Sequence, residues 1–171
     1  MLKSVCRSLP IVTLTFMLAF LSACSSAKDS AKFAPVAAQG GMAEVEMGQL
    51  AIQRAADPAV KEFGQRMVTD HSRAGAELKT IASRKQIQLP TEISSSQKSM
   101  VDKLSKLSGA EFDKEYMSGM VKDPEEDAKE FQTQSNEGND PDIKAFAAKT
   151  LPIIQEHLQM ARTVAKKVGA N

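Results

Sequence analysis

The chain has 171 residues, which suits one domain with an export segment, and its formal net charge is only +1. This near-neutral charge argues against a nucleic acid as partner, because binding to phosphates depends on an excess of Lys and Arg. With seven Phe, one Tyr and no Trp, side chains that could stack on bases or sugars are scarce. The composition therefore argues against a nucleic-acid-binding protein.

Residues 1–23 have the pattern of a secretory signal peptide. Lys3 and Arg7 precede an apolar run that ends in Leu21-Ser22-Ala23-Cys24. The run is shorter than the roughly 20 residues that a membrane span requires. Its last four residues resemble the bacterial lipobox, which implies cleavage before Cys24 and attachment of a diacylglycerol to the sulfur. An ordinary signal peptide with an incidental cysteine is the alternative.

Lipidation at Cys24 predicts a lipid-anchored envelope protein whose partner is the membrane. Ser25, and not Asp, follows the cysteine, which in a Gram-negative cell favours the outer membrane, facing the periplasm. Cleavage removes Lys3 and Arg7, so that 20 basic residues remain against 21 acidic ones, a net charge of −1. Cys24 is then the only cysteine and no intramolecular disulfide is possible. Residues 24–35 are expected to form a polar tether.

The rest of the chain predicts helices, because Ala, Lys, Glu, Gln and Met dominate and alternating β-branched runs are missing. Asp57-Pro58 and Asp140-Pro141 have the N-cap and first-position residues of helix starts. The predicted helices are 36–56, 58–85, 110–137 and 141–168, with a short helix at 93–107 inside a crossover at 86–109. We expect residues 36–168 to form an all-α, ferritin-like four-helix bundle of two helical hairpins joined by that crossover.

Pro124 lies inside the predicted helix 110–137, as Pro152 lies inside 141–168. Asp123-Pro124 taken alone resembles a helix start, but the stripe of Met117, Met120, Asp127 and Phe131 continues in phase across it. An interior proline removes a backbone hydrogen bond and bends the helix. The sequence therefore predicts one kinked helix here and not two.

Both histidines of the chain lie on apolar helical stripes. Counted from the hairpin turns at 1.5 Å per residue, Glu44, His71 and His157 fall at one level, and Asp127 is in phase nearby. A carboxylate and two imidazoles in one layer are a common way to build a metal site. The sequence favours hydrogen-bonded structural pairing of these residues in the core. The alternative is a divalent-metal site of Glu44, His71 and His157, for which Asp127 could supply a further oxygen ligand.

Catalytic motifs are missing from the sequence. Val68 and Ile154 stand three residues before the histidines, so the Glu-x-x-His ligands of di-iron ferritins are absent. No nucleophile–base motif, Gly-rich phosphate loop or His-Glu-x-x-His occurs either. The sequence therefore favours a protein without enzymatic activity. Asp70 lies about 100° around the helix from His71 and is expected to be solvated.

Three motifs together resemble a known family: Met-x-x-Asp-His at 67–71, Phe-Asp-x-x-Tyr at 112–116 and Thr-Leu-Pro…Glu-His at 150–157. They are similar to a bacterial envelope family of unknown function, with a ferritin-like helical fold, often labelled "predicted outer membrane protein". The resemblance spans residues 33–165. That family carries Lys-Asp-His where this chain has Lys122-Asp123-Pro124, so a third histidine is missing.

The resemblance implies a fold and a location but identifies neither a protein partner nor a small ligand. With the lipobox, it leads to the expectation of an envelope lipoprotein that acts as a non-enzymatic binding or stress-related module. The alternative is a metal-binding or vestigial metal-dependent redox protein that uses the Glu/His layer.

Overall fold

The computed structural model describes residues 26–138 and 140–170, and the backbone alone at residues 26–29, 123 and 124. The predicted signal peptide and Cys24 lie outside the described residues. Five helices follow one another: α1 (Ser26–Arg54), α2 (Pro58–Lys85), α3 (Ser95–Ser105), α4 (Gly109–Glu137) and α5 (Pro141–Val168). Over the described ranges no β-strand forms, apart from an isolated bridge between Ala55 and Gly109. The all-α prediction is confirmed.

Four long helices make up most of the fold. α1 packs along α2 and α4 packs along α5, and the two pairs meet through α2 with α5 and α1 with α4. The short α3 contacts α1 and α4. α1 and α2 come close at Gly48 and Gly64, where a Cβ on Gly64 would lie only 2.9 Å from the carbonyl oxygen of Gly48. Across the described residues, every helix is too short or too polar to traverse a lipid bilayer.

The predicted helix starts are confirmed by their caps. The Asp57 carboxylate accepts a hydrogen bond from the Ala59 backbone N–H at 2.8 Å, with Pro58 at the first helical position. Asp140 likewise accepts hydrogen bonds from the first backbone N–H groups of α5. α4 is helical throughout 109–137, so the prediction of one helix across residue 124 is confirmed.

Residues 26–35 belong to α1 and not to a polar tether, so that prediction is wrong. Phe33 is buried and its ring packs edge-on against Phe131, with centroids 4.9 Å apart. Gln134 Nε2 donates a hydrogen bond of 2.8 Å to Ser30 Oγ, and both side chains are buried. Pro35 ordinarily marks a helix start. Here burial of the segment before it offsets the lost backbone hydrogen bond, and the helix begins at Ser26.

The apolar core consists of two clusters that lie towards opposite ends of the long helices. The first is centred on Met47, Phe63, Met67, Phe112, Tyr116, Met117, Met120 and Ala161. The second is centred on Phe33, Leu78, Ile81, Phe131, Ile143, Phe146 and Ile154. On α2 and α5 the buried members of the two clusters are separated by a gap, and His71 and His157 lie in these gaps, with Glu44 of α1 at the edge of the first cluster.

A buried carboxylate joins α4 to the turn between α1 and α2. Asp113 is 3 % exposed and accepts hydrogen bonds from the backbone N–H groups of Ala56 (3.1 Å) and Asp57 (2.8 Å). These N–H groups have left α1 and precede the hydrogen-bonded turns of α2, so Asp113 supplies acceptors that the helices do not. This bond pair fixes the register between the two helical pairs.

The substitution Asp113→Ala tests this connection. It leaves two partly buried N–H groups without an acceptor, and we expect the free energy of unfolding to fall by about 1–3 kcal/mol. Urea denaturation followed by circular dichroism measures the change. Asp102→Ala, at an exposed aspartate of α3, is the matched control and should shift stability by less than about 0.5 kcal/mol. Equal effects of the two substitutions would contradict a specific role for Asp113.

Candidate functional site

The structure brings Glu44, His71 and His157 together from three helices. Glu44 Oε2 lies 2.9 Å from His71 Nδ1, which joins α1 to α2. The imidazole rings of His71 and His157 have centroids 5.2 Å apart and are tilted by 43°. His71 and Glu44 are 10 % and 13 % exposed, and His157 is fully buried. The residues predicted from the sequence to share one layer therefore do share it.

Asp70 completes the layer, although it was expected to be solvated; that expectation is wrong. Its carboxylate is buried and lies 3.0 Å from His157 Nε2, which joins α2 to α5. Arg66 Nε and Arg73 donate to the same carboxylate at 2.5 and 2.9 Å. The two arginines stand four residues before and three after Asp70, a spacing that places them on its side of α2. That spacing was the signal in the sequence that Asp70 is partnered.

The protonation states follow from these contacts. Burial would raise the pKa of Asp70, but the hydrogen bonds from Arg66 and His157 hold it below its ordinary value. Asp70 is therefore an anion at neutral pH and only accepts, so His157 Nε2 carries the proton and donates. Burial lowers the pKa of His157, and its bond to Asp70 only partly opposes this. His157 is thus a neutral imidazole with a lone pair on Nδ1.

His71 has the opposite electrostatic environment. Burial alone would lower its pKa, but the carboxylates of Glu44, Asp127 and Asp70 raise it by more, so the net shift is upward. Its Nδ1–H donates to Glu44, and at neutral pH a substantial share of His71 is the cation. The pKa values of the two adjacent imidazoles are therefore shifted in opposite directions, upward for His71 and downward for His157.

Three polar atoms near this layer are buried without a hydrogen-bond partner among the described residues: His71 Nε2, His157 Nδ1 and the Tyr116 hydroxyl. The Phe63 ring packs edge-on against both Tyr116 and His157, with ring centroids 6.1 Å and 6.4 Å apart. Burial raises the pKa of Tyr116, so this hydroxyl stays neutral. Buried polar atoms in folded proteins nearly always have a partner, so these atoms are sites where a water or ligand would bind.

A cleft of about 680 Å³ opens beside the layer. Its walls come from α1, α2, α4, α5 and the connection at 89–91, and they include Glu44, His71 and Asp127. Gly40 and Gly41 of α1 leave room in it: a Cβ on Gly40 would have no neighbour within 4 Å, and one on Gly41 would meet only His71 Nδ1, at 3.9 Å. The two glycines thus help to keep space open beside the Glu44–His71 pair.

The predicted metal ligands meet, but their donor atoms do not converge. Within the described part of the chain, no group of three or more His, Cys, Asp or Glu side chains is arranged to hold a metal ion. Glu44 is bonded to His71, and Asp127 acts on His71 through its charge. The side chain of residue 124, where the resembling family has a histidine, lies outside the described side chains. A metal role for Glu44, His71, His157 and Asp127 stays a prediction.

The opposite pKa shifts of the two histidines can be measured directly. In a ¹H NMR titration of protein without a histidine tag, we expect the His71 ring signal to titrate above 6.5 and that of His157 below it. The single variants His71→Gln and His157→Gln assign the two signals. Coincident midpoints, or midpoints in the reverse order, would contradict the electrostatic account.

The same shifts affect stability in opposite directions. Because the pKa of His71 is raised, its contribution is present below about pH 6.5 and is lost as the pH rises through its folded-state pKa. Because the pKa of His157 is lowered, stability is lost as the pH falls from about 6.5 towards its folded-state pKa. Urea denaturation from pH 5 to 8 measures the free energy of unfolding at each pH. In His157→Gln this free energy should no longer fall towards acid pH, and in His71→Gln it should no longer fall towards alkaline pH.

The comparisons with known proteins give a family. The chain matches no curated protein and no solved structure at a significant level. The family model described as "Domain of unknown function (DUF4142)" matches residues 18–164, which include α1 to α4 and all but the last turn of α5. Both motif histidines, Asp70 and Asp113 fall inside that range. The chain therefore belongs to the family of the domain of unknown function DUF4142.

Proposed function

We propose that this protein is a lipid-anchored module of the bacterial envelope that binds a small ligand in the cleft between its long helices. The cleft is the observation that carries this proposal. Its volume of about 680 Å³ lies within the range of about 300–1,000 Å³ that is usual for small-molecule sites. Apolar walls with a few convergent polar groups, here Glu44 and His71, are also the usual composition of such sites.

Two further features of the cleft support binding. Val36 lies on its wall and is 52 % exposed, the one large hydrophobic side chain in the described ranges that is exposed to this degree. An exposed apolar side chain beside a concave site gains by contact with a ligand. His71, also on the wall, has a buried Nε2 without a partner, which a bound ligand or water would satisfy.

We assign the four long helices to a ferritin-like four-helix bundle. The support is the pairing of α1 with α2 and of α4 with α5, with α3 in the crossover between the pairs. Side chains that face one another at mid-height of such a bundle form its ligand sites. The proposal assigns no chemical step, since Asp70 and Glu44 are each held in a hydrogen bond to an imidazole.

Filling the cleft tests the binding function. Gly40→Leu places a side chain in open space on the cleft wall, and it should add about 0.5–1 kcal/mol to helix stability. Native mass spectrometry of protein released from its own envelope in detergent should show a non-covalent adduct in the wild type and none in Gly40→Leu.

Gly119→Leu is the matched control, because Gly119 is also a helical glycine with open space at its Cβ and does not line the cleft. It should keep the adduct. An adduct of unchanged mass and occupancy in Gly40→Leu, or no adduct in any variant, would refute the proposal.

The anchor is tested separately through Cys24. Cells grown with a clickable fatty acid should label the wild-type protein and leave Cys24→Ala unlabelled, because the lipid is attached through the cysteine sulfur. Labelled wild type should sediment with the membrane fraction. A Cys24→Ala protein that still incorporates the label would refute lipidation at this residue.

A metal-binding function is the second candidate, and one observation favours it. Each imidazole donates from one ring nitrogen to a carboxylate, Glu44 or Asp70, and leaves the other nitrogen buried without a partner among the described residues. Metal-ligating histidines are usually oriented by such a carboxylate. The two nitrogens fall short of the three or four protein ligands that a zinc site takes, so small-ligand binding is preferred.

Metal analysis decides this second candidate. If His71 and His157 hold a divalent metal, elemental analysis of untagged protein should give about one metal per chain, and His157→Gln should remove it. Zn²⁺, Fe²⁺ or Mn²⁺ should then also raise the melting temperature of the wild type. Substoichiometric metal together with no thermal shift would exclude the candidate.

A further inference from the structure

We propose that the ligand of the cleft is an amphiphilic cation, with an apolar chain and a protonated amine or quaternary ammonium head. The inference rests on the proposed function, since it names the class of molecule that the same cleft takes. It is carried by two properties of the walls, their apolar interior and their excess of carboxylates.

The interior of the cleft is built from apolar side chains. Leu78 of α2, Phe131 of α4 and Phe146 and Ile154 of α5 line it and belong to the second core cluster. Contact with such walls favours a hydrocarbon chain, whereas a polar group would lose its hydration there without gaining a hydrogen bond. The part of the ligand that enters the cleft is therefore apolar.

The charges on the walls are mostly negative. Among the described lining residues, four are carboxylates (Glu44, Glu46, Asp127 and Glu130), whereas Lys79 is the one Lys or Arg. Even with His71 counted as a cation, the described walls keep a net negative charge. A concave surface with low-dielectric walls concentrates the field of such charges, which attracts a cation and repels an anion.

The carboxylates differ in depth, and this difference suggests how a ligand would be oriented. Glu44 is largely buried against His71, which compensates part of its charge. Glu46 of α1 and Glu130 of α4 are exposed and lie on two helices that pack against each other. The contact between Phe33 and Phe131 puts Glu130 several turns of α1 away from Glu46, close to the apolar end of the cleft. A cationic head beside Glu130 stays in contact with water while its chain lies against Leu78, Phe146 and Ile154. Strong desolvation of the charge is thereby avoided.

The test uses three probes with the same chain and different heads: octylamine hydrochloride, 1-octanol and sodium octanoate. Isothermal titration calorimetry at pH 7 and low salt measures the Kd of each for the full mature protein. We expect octylammonium to bind at least tenfold more tightly than octanoate, with octanol between them. The preference should weaken as salt is added, because the charges at the rim are screened.

Two double variants locate the preference. Glu46→Gln/Glu130→Gln removes two carboxylates from the cleft, and it should reduce the preference for octylammonium over octanoate at least threefold. Glu62→Gln/Glu111→Gln makes the same change of net charge at exposed positions outside the cleft lining, and it should keep the preference. Gly40→Leu should abolish binding of all three probes.

Three other outcomes would contradict the inference, and each of them shows which part of it fails. Equal binding of the three probes, all lost in Gly40→Leu, would leave a binding cleft without selectivity for cations, so that only this inference fails. Binding that survives in Gly40→Leu would place the probes elsewhere on the protein. If no probe binds, the inference fails, while the native adduct in the envelope-derived protein still decides the proposed function.

Discussion

The hydrogen bond between Asp70 and His157 is the interaction on which the middle of this structure depends. It joins α2 to α5 at a level where neither apolar cluster reaches across the fold. Removal of the Asp70 carboxylate would leave the buried Nε2–H of His157 without an acceptor, at a cost of about 1–3 kcal/mol. The buried Asp70 carboxylate is stabilised further because Arg66 and Arg73 also donate hydrogen bonds to it from the surface of the same helix.

The neighbouring Glu44–His71 pair follows from that arrangement. With His157 held neutral by burial, His71 is the imidazole that takes up a proton, and Glu44, Asp70 and Asp127 all favour its charged form. Its side chain forms part of the cleft wall, where Gly41 leaves space beside Nδ1. A polar, titratable group thus lies beside an apolar cavity, and this juxtaposition supports the proposal of a ligand site.

Much of the fold could be predicted from the sequence, because its signals are local. Asp57-Pro58 and Asp140-Pro141 define the starts of α2 and α5, and the apolar stripes place His71 and His157 at one level. The start of α1 could not be predicted, since it depends on tertiary contacts. Ser30 and Phe33 are buried by Gln134 and Phe131, roughly a hundred residues away. The helix also continues through Pro35, although a proline inside a helix removes a backbone hydrogen bond.

The hydrogen bond between Asp70 and His157 could not be predicted from helical phase alone either. A residue next to a buried histidine on a helix points about 100° away, towards solvent in a lone helix. In this fold α5 covers that side of α2, and the solvated side chain becomes a buried acceptor. The cleft could not be foreseen either, because it depends on the absence of side chains at Gly40 and Gly41 in a particular packing of four helices.

The central claim is that the polar layer forms the wall of a cleft that takes a ligand. An amide-resolved ¹H–¹⁵N NMR titration of the mature protein with octylammonium tests it most directly. The account predicts that chemical-shift changes concentrate at the backbone amides of Gly40, Gly41 and Gly75, which line the cleft, and leave Gly119 unchanged. Changes that spread evenly over the surface, or that centre on α3, would contradict it.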